Sequence, residues 1–285
     1  MSKRILLITG ATGNQGGAVI RSLLDHREDH DWEVRAFVRD PASARAQALE
    51  ARGVQLVKGD LDDEASVAQS VRDAYGVFSV QSFQPQGVVA EERQGKLLAT
   101  AAAEAGVSHF VYSSTSGVDT DSGVPHYEGK WQIEQHIRSL ELPATILRPV
   151  MFMENLERAA FRAMVMSLWK TYVPDTKPLQ LIDVNDIGGF VSAAFADPER
   201  FIGQTISLAG DSLTRPLAIE ALKRGGRSPL FSVRLPGPMR KRIPAEITTM
   251  FTWIGEVGFD ADIPALRQIG PELKTLERWA SLQAA

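Results

Sequence analysis

Short apolar runs alternate with longer amphipathic stretches through the first half of the chain. The runs Arg4–Thr9, Val34–Val38, Val54–Val57, Gly76–Val80, His109–Ser113 and Ala144–Leu147 read as strands. Between them, Gln15–Asp25, Pro41–Ala51, Glu64–Ala74, Val88–Ala105 and Tyr127–Leu140 are long and amphipathic enough to be crossover helices. Strand and helix alternating this often predict an α/β fold of Rossmann type. This is a doubly wound parallel sheet whose right-handed crossovers put helices on both faces.

After Pro149 the rhythm changes. A segment rich in methionine and aromatics, Met151–Pro174, is followed by a predicted helix over Asn185–Ala196 and a strand over Thr205–Leu208. Pro216, Pro229, Pro236, Pro238, Pro244 and Pro264 keep the elements of the last third short and its loops several. The expected organisation is a nucleotide-binding domain over residues 1–150 and a small C-terminal substrate lobe over 151–285, some of whose segments return to the Rossmann sheet and which completes a cleft.

Composition narrows the function more than the fold. With 44% hydrophobic and 23% charged residues the chain has an ordinary globular make-up. Its formal charge of −4 offers no general attraction to a phosphate backbone or an anionic bilayer, so neither nucleic acid nor membrane is expected as a partner. The absence of cysteine excludes disulfides, thiolate nucleophiles and cysteine-ligated metals, and the five histidines lack zinc-like spacing, so no metal site is expected. The opening MSKRILLITG reads as a first strand rather than a signal peptide, and no stretch nears the roughly 18 apolar residues of a membrane span. A cytoplasmic location is the expectation.

The first strand runs into Gly10-Ala11-Thr12-Gly13-Asn14-Gln15-Gly16-Gly17, after which helical spacing resumes. Dinucleotide sites need glycines at such a junction. The turn is tight, backbone must approach a pyrophosphate, and the helix N-terminus presents free N–H groups to it. The spacing is G-x-x-G-x-x-G, and its place between strand and helix makes Gly10, Thr12, Gly13, Asn14, Gln15 and Gly16 candidate cofactor contacts. The second strand ends in Arg39, suited to the 2′-phosphate of NADP, with Arg45 as a helper. Asp40-Pro41 reads instead as a helix cap followed by a first-turn proline. NADP(H) is therefore expected ahead of NAD(H). Asp60 and Leu61 close the third strand, Ser79, Gln81 and Ser82 the fourth, and Ser113, Ser114 and Thr115 the fifth, where strand ends line the ligand crevice of open α/β sheets.

The segments GATGNQGG, GDLDDE, VYSSTSG, HYEGKWQIEQ and RPVMFMENL, together with Arg39, closely resemble the NmrA-like family of atypical short-chain dehydrogenase/reductases. The resemblance runs through nearly the whole chain. It implies a Rossmann domain plus a small C-terminal lobe, NADP(H) over the strand ends, the nicotinamide facing the cleft, and Asn155 near that ring. It does not imply one activity. Some members are redox sensors that contact regulatory proteins, and others reduce quinones, dyes or benzylic substrates.

Short-chain dehydrogenases pair Tyr and Lys four residues apart, the lysine lowering the tyrosine pKa and holding the nicotinamide ribose. Here Tyr127 precedes Lys130 by three and His126 by four. Three readings stay open: Lys130 binds ribose while Tyr127 or His126 serves as a nonstandard acid; Lys130 holds cofactor and no protein acid is needed; or cofactor is bound and nothing is turned over. Met151, Phe152, Met153, Asn155 and Leu156, continuing to Phe161, Met164, Met166, Trp169 and Tyr172, offer flexible apolar surface suited to an aromatic or carbonyl substrate, although a stripe of this kind is more often core. The enzyme reading is an NADPH-dependent reductase of a quinone, carbonyl or conjugated aromatic. The alternative is a non-catalytic NADP(H) sensor with a regulatory protein partner. Either is compatible with an oligomer.

Overall fold

A computed structural model describes residues 3–26, 30–227 and 232–282. The chain divides into two compact units, residues 1–114, 129–148 and 187–206 forming one, and 115–128, 149–186 and 207–285 the other. Residues 115–128, expected with the nucleotide-binding domain, are thus grouped with the second unit.

The first unit is built on β1 (Arg4–Ile8), α1 (Asn14–Asp25), β2 (Trp32–Val38), α2 (Ala44–Glu50), β3 (Gln55–Lys58), α3 (Glu64–Ser70), β4 (Gly76–Ser79), α4 (Val88–Glu104), β5 (His109–Ser113), α5 (Pro125–Ser139) and β6 (Ala144–Pro149). A seven-stranded sheet runs in the order β3-β2-β1-β4-β5-β6-β9, where β9 is Thr205–Leu208. Neighbours from β3 to β6 pair in parallel. The reversal of strand order beside β1 is the feature that opens a ligand crevice at the carboxyl ends of such sheets. The expected doubly wound Rossmann sheet is therefore present.

Helix starts differ from expectation where a side chain intervenes. Asp40 does not cap α2. Its carboxylate accepts the Ala42 N–H at 3.0 Å, a turn that delays the helix until Ser43 caps it at the Ala46 N–H. Helix α3 stops at Ser70, short of Ala74, and Asp73 beyond it adopts positive φ.

Helices reach the sheet through missing side chains. A Cβ on Gly76 would lie 2.6 Å from the ring of Phe195, and one on Gly188 2.6 Å from the Ala18 carbonyl oxygen; both partners come from α7 (Val184–Ala196) or from α1 beneath it.

In the second unit β7 (Met151–Phe152) pairs in parallel with β8 (Leu179–Ile182), and β10 (Asp211–Leu213) pairs antiparallel with β8. Around this small sheet lie α6 (Ala159–Tyr172), α9 (Arg215–Arg224), α10 (Gly237–Arg240), α11 (Ala245–Glu256), α12 (Ile263–Ile269) and α13 (Leu276–Leu282), while α8 (Pro198–Phe201) belongs to the first unit. The prolines expected to interrupt this region instead open its helices. Pro216, Pro238 and Pro264 sit in first turns, and Pro236 and Pro244 are N-caps. Pro229 lies outside the described residues. Among the described residues no helix is long and apolar enough to cross a membrane, and no group of three His, Asp or Glu could hold a metal ion.

His109 lies wholly buried in β5. Its Nε2 stands 2.8 Å from Thr145 Oγ1, whose hydroxyl donates to the Phe201 carbonyl, so Nε2 is the donor and the ring is neutral. Burial lowers its pKa from 6.5 to about 4. Below pH 6.5 the unfolded chain takes up a proton that the folded chain refuses. Stability is thus full above 6.5 and falls as pH drops toward 4, by up to about 3 kcal/mol. Urea unfolding at pH 7 and pH 4.5 should show a smaller acid loss in His109→Gln than in the wild type; equal losses would contradict this assignment.

Candidate functional site

The turn after β1 is tied to β4 through Thr9. Its hydroxyl donates to the Phe78 carbonyl at 3.0 Å and accepts the Val80 N–H at 2.9 Å. Gly10 takes φ +60°, and its carbonyl accepts the Gly13 N–H at 2.9 Å. Gly13 caps α1 with no side chain, and the first turn of that helix carries no acid. The leading N–H groups of α1 therefore have neither intrahelical partners nor a capping carboxylate, and the helix dipole makes the place attractive to an anion.

A Cβ on Gly16 would stand 2.3 Å from the Gly10 oxygen and 2.6 Å from that of Thr9, so only glycine lets helix and turn close. This cradle fits the pyrophosphate of a dinucleotide. Around it, Arg45 donates to the Thr12 carbonyl at 3.4 Å, and Ser113 donates to the Gln15 side-chain oxygen at 2.6 Å. The turn, the start of α2 and the end of β5 are thereby brought together.

Other expected contacts are placed as follows. Arg39 is exposed at the end of β2. Asp60 is exposed and accepts the Asp62 N–H at 3.0 Å, while Leu61 packs against the core of the sheet's helical face, so both serve at least as a turn. Gln81 is buried. Its amide nitrogen donates to Ser79 at 3.0 Å and its oxygen has no partner among the described residues, an acceptor left over for a ligand. Ser82 is exposed and accepts the Gln84 N–H.

Lys130 is no solvated helix lysine. Its side chain is 11% exposed and its Nζ lies 2.9 Å from an oxygen of Glu91, itself 0% exposed on α4. The ammonium also stands 5.8 Å over the Tyr112 ring. Burial, and then the Glu91 and Glu134 carboxylates, push the Tyr112 phenol well above its ordinary pKa. Glu134 is held by Arg148 at 2.8 Å.

His126 and Tyr127 start α5 within the second unit. His126 Nδ1 lies 2.5 Å from Glu246, and its ring meets that of Tyr127 edge-on at 4.8 Å. Tyr127 is 2% exposed and also packs edge-on against Trp253. Burial raises its phenol pKa, only partly offset by a hydrogen bond to Thr115, so Tyr127 is a poorer acid than a free tyrosine.

Asn155 sits in a 3₁₀ turn, Met153–Leu156, half-buried. Its neighbour Glu154 accepts from Trp279 Nε1 and the Val184 N–H, both at 3.3 Å. Burial and the adjacent Asp183 raise the Glu154 pKa to about 8, so this carboxyl holds its proton at neutral pH. Of the apolar segment weighed as core or substrate surface, Met153, Leu156, Met166 and Trp169 are core, at 0–3% exposure. Met151, Phe152 and Tyr172 are half-exposed, and Phe161 and Met164 exposed. Methionines at helical spacing fill irregular core space as readily as they line a site.

Glu91 and Glu154 escaped the sequence reading. For Glu91 a signal existed: with Gln94, Gly95 and Leu98 it recurs at i, i+3, i+4 and i+7, and all four are buried. A charge on the inward stripe of a helix implies a buried partner.

Comparison with known proteins agrees with this geometry. The model of the NmrA-like family matches residues 1–282. An NmrA-like family domain-containing oxidoreductase of Malbranchea aurantiaca is 30% identical over 241 residues, 76% of this chain and 71% of its own length. An NAD(P)H azoreductase of Xenophilus azovorans is 31% identical over 197 residues, 68% of this chain and 64% of that protein. The crystal structure of the negative transcriptional regulator NmrA in complex with NADP aligns at a TM-score of 0.79 and 23% identity, covering 99% of this chain and 95% of that one. With a glycine cradle at the first strand, a parallel sheet reversing order beside it, and a family model spanning almost every residue, the chain belongs to the NmrA-like family.

Proposed function

We propose that this protein is an NADPH-dependent reductase of a quinone, azo or other conjugated aromatic substrate. The observation that supports this most directly is the uncapped, acid-free start of α1, seated on the Gly10 turn by the side-chain-free contact at Gly16. There the N–H groups of Asn14, Gln15 and Gly16 hold the pyrophosphate. Arg39, with Arg45 nearby on α2, takes the 2′-phosphate and favours NADPH over NADH. Gln81 offers its oxygen, unpartnered among the described residues, Ser113 fixes the Gln15 amide, and the Lys130 ammonium holds the nicotinamide ribose. The nicotinamide, when bound and reduced, supplies a hydride.

The side chains say which substrates suit that hydride. Tyr127 is buried with its pKa raised and is no ready proton donor, and His126 has its Nδ1 committed to Glu246. A substrate whose reduced form is a stable anion, or which takes its proton from water, needs none. Quinones and extended dyes meet that condition, and one relative is itself an azoreductase. The same lack of an acid favours a second reading, a non-catalytic sensor whose affinity for NADP⁺ and NADPH differs and whose partner is another protein.

The test is NADPH oxidation, followed by absorbance, with a panel of quinones, azo and triarylmethane dyes, aldehydes and imines. Turnover with quinones or dyes, abolished in Lys130→Ala, is expected; tight NADPH binding with no oxidation across the panel selects the sensor. Arg39→Ala should lose about 10- to 100-fold in NADPH affinity, the worth of one charge-assisted hydrogen bond, while NADH affinity stays constant. Equal losses for both cofactors would remove Arg39 from the 2′-phosphate. Gly16→Ala should bind neither cofactor measurably, since its methyl group would sit 2.3 Å from the Gly10 oxygen; wild-type affinity in that variant would overturn the cradle.

A further inference from the structure

Helices α4 and α5 approach each other through glycines. A Cβ on Gly129 would lie 2.7 Å from a Val88 methyl carbon, and one on Gly95 2.6 Å from Ile133. Glu91 lies one turn along α4 from Val88, and Lys130 follows Gly129 on α5, so this close crossing sets the two charges against each other at 2.9 Å. The Glu91 carboxylate is completely buried, and Lys130 supplies the counter-charge at 2.9 Å as an ion pair; neither carboxylate oxygen has a hydrogen-bond partner among the described residues. A buried carboxylate in that situation needs its counter-charge, and the counter-charge is thereby fixed.

Lysine has four rotatable bonds and is ordinarily a loosely held point charge. Here the ammonium is gripped on one side by Glu91 and lies over the Tyr112 ring. It has three N–H donors, and the ion pair with Glu91 restricts it from one side only. The other sides are left to a ligand, with the entropy of placing the side chain already spent in the unliganded fold.

We propose that Glu91 is a positioning residue which pre-sets the Lys130 ammonium for the ribose on the nicotinamide side of the bound dinucleotide. This rests on the reading of Lys130 as the ribose ligand. It makes Glu91 specific to one half of the cofactor. The adenosine half, held by the α1 turn and Arg39, is indifferent to it.

The experiment measures equilibrium affinity for two probes. One is whichever of NADPH or NADH the wild type binds more tightly. The other is the matching adenosine fragment, adenosine 2′,5′-bisphosphate or ADP, which lacks the second ribose. Glu91→Gln, Glu91→Asp, Lys130→Met and the Glu91→Gln/Lys130→Met pair are compared with wild type. Glu91→Gln is expected to lose roughly tenfold for the whole dinucleotide and nothing for the fragment, about the worth of one hydrogen bond. Glu91→Asp, which keeps the charge but draws it back by one methylene, should lose less. The double variant should bind the dinucleotide as Lys130→Met does, because Glu91 acts only through the lysine.

Where Glu91→Gln fails to fold, the same selective loss in Glu91→Asp is the deciding result. The proposal is overturned if the Glu91 variants bind the dinucleotide as wild type does, lose both probes in equal proportion, or add a further loss to Lys130→Met. If Lys130→Met itself binds the dinucleotide as wild type, the ribose reading fails, and that outcome is distinct because it appears without any change at Glu91.

Discussion

The approach of α1 to the end of β1, with the Gly16 Cα seated against the Gly10 and Thr9 carbonyls, is the contact on which the first unit's chemistry depends. Because no side chain fits there, the first helical N–H groups are pressed toward the strand end instead of standing off by the thickness of a methyl group. The turn itself has little freedom, since Gly10 holds the left-handed region and Thr9 bonds on both sides of its hydroxyl to β4. Rigidity of this kind means that the donors are aimed before any ligand arrives, and the ordering cost falls on folding rather than on binding.

Charge inside the first unit is arranged by a different rule. Glu91 with Lys130, and Glu134 with Arg148 and Arg138, are carboxylates wholly shielded from solvent, each matched by cations on α5 or β6. Desolvating such groups costs about as much as their attraction returns, and removing one partner leaves a buried charge at a cost of about 3–5 kcal/mol. Their value therefore lies in where they hold side chains. Trp131 reinforces this, standing against both Arg138 and Arg148 at 5.5 and 5.7 Å.

The strands and crossover helices of the first half were legible because parallel strands buried on both faces are unbroken apolar runs and because glycine has a recognisable task at a strand-helix junction. Four things were hidden. Asp40 followed by proline has the form of a cap, yet an aspartate can fold its own backbone two residues on, and Ser43 took the capping role. The methionine and aromatic stripe after Pro149 fitted either core or ligand surface, because periodicity alone does not say which a stripe meets; Met166 and Trp169 face inward while Phe161 and Met164 do not. Prolines in the last third were legible as interruptions and not as beginnings, although a fixed φ and a missing N–H suit a helix start. The pairing of Glu91 with Lys130 joins helices far apart in sequence, so only the inward position of the glutamate was there to be noticed.

The seat of Gly188 on the Ala18 carbonyl has a consequence for how the protein comes into being. Helix α1, which begins the glycine cradle, is synthesised well before the helix that lies on it. Until then α1 has a bare backbone face and its strand has no finished outer layer. An element made early is thus completed late, and a nascent chain stalled before α7 would leave bare the part of the sheet around Gly76 that Phe195 covers, a circumstance that favours chaperone binding.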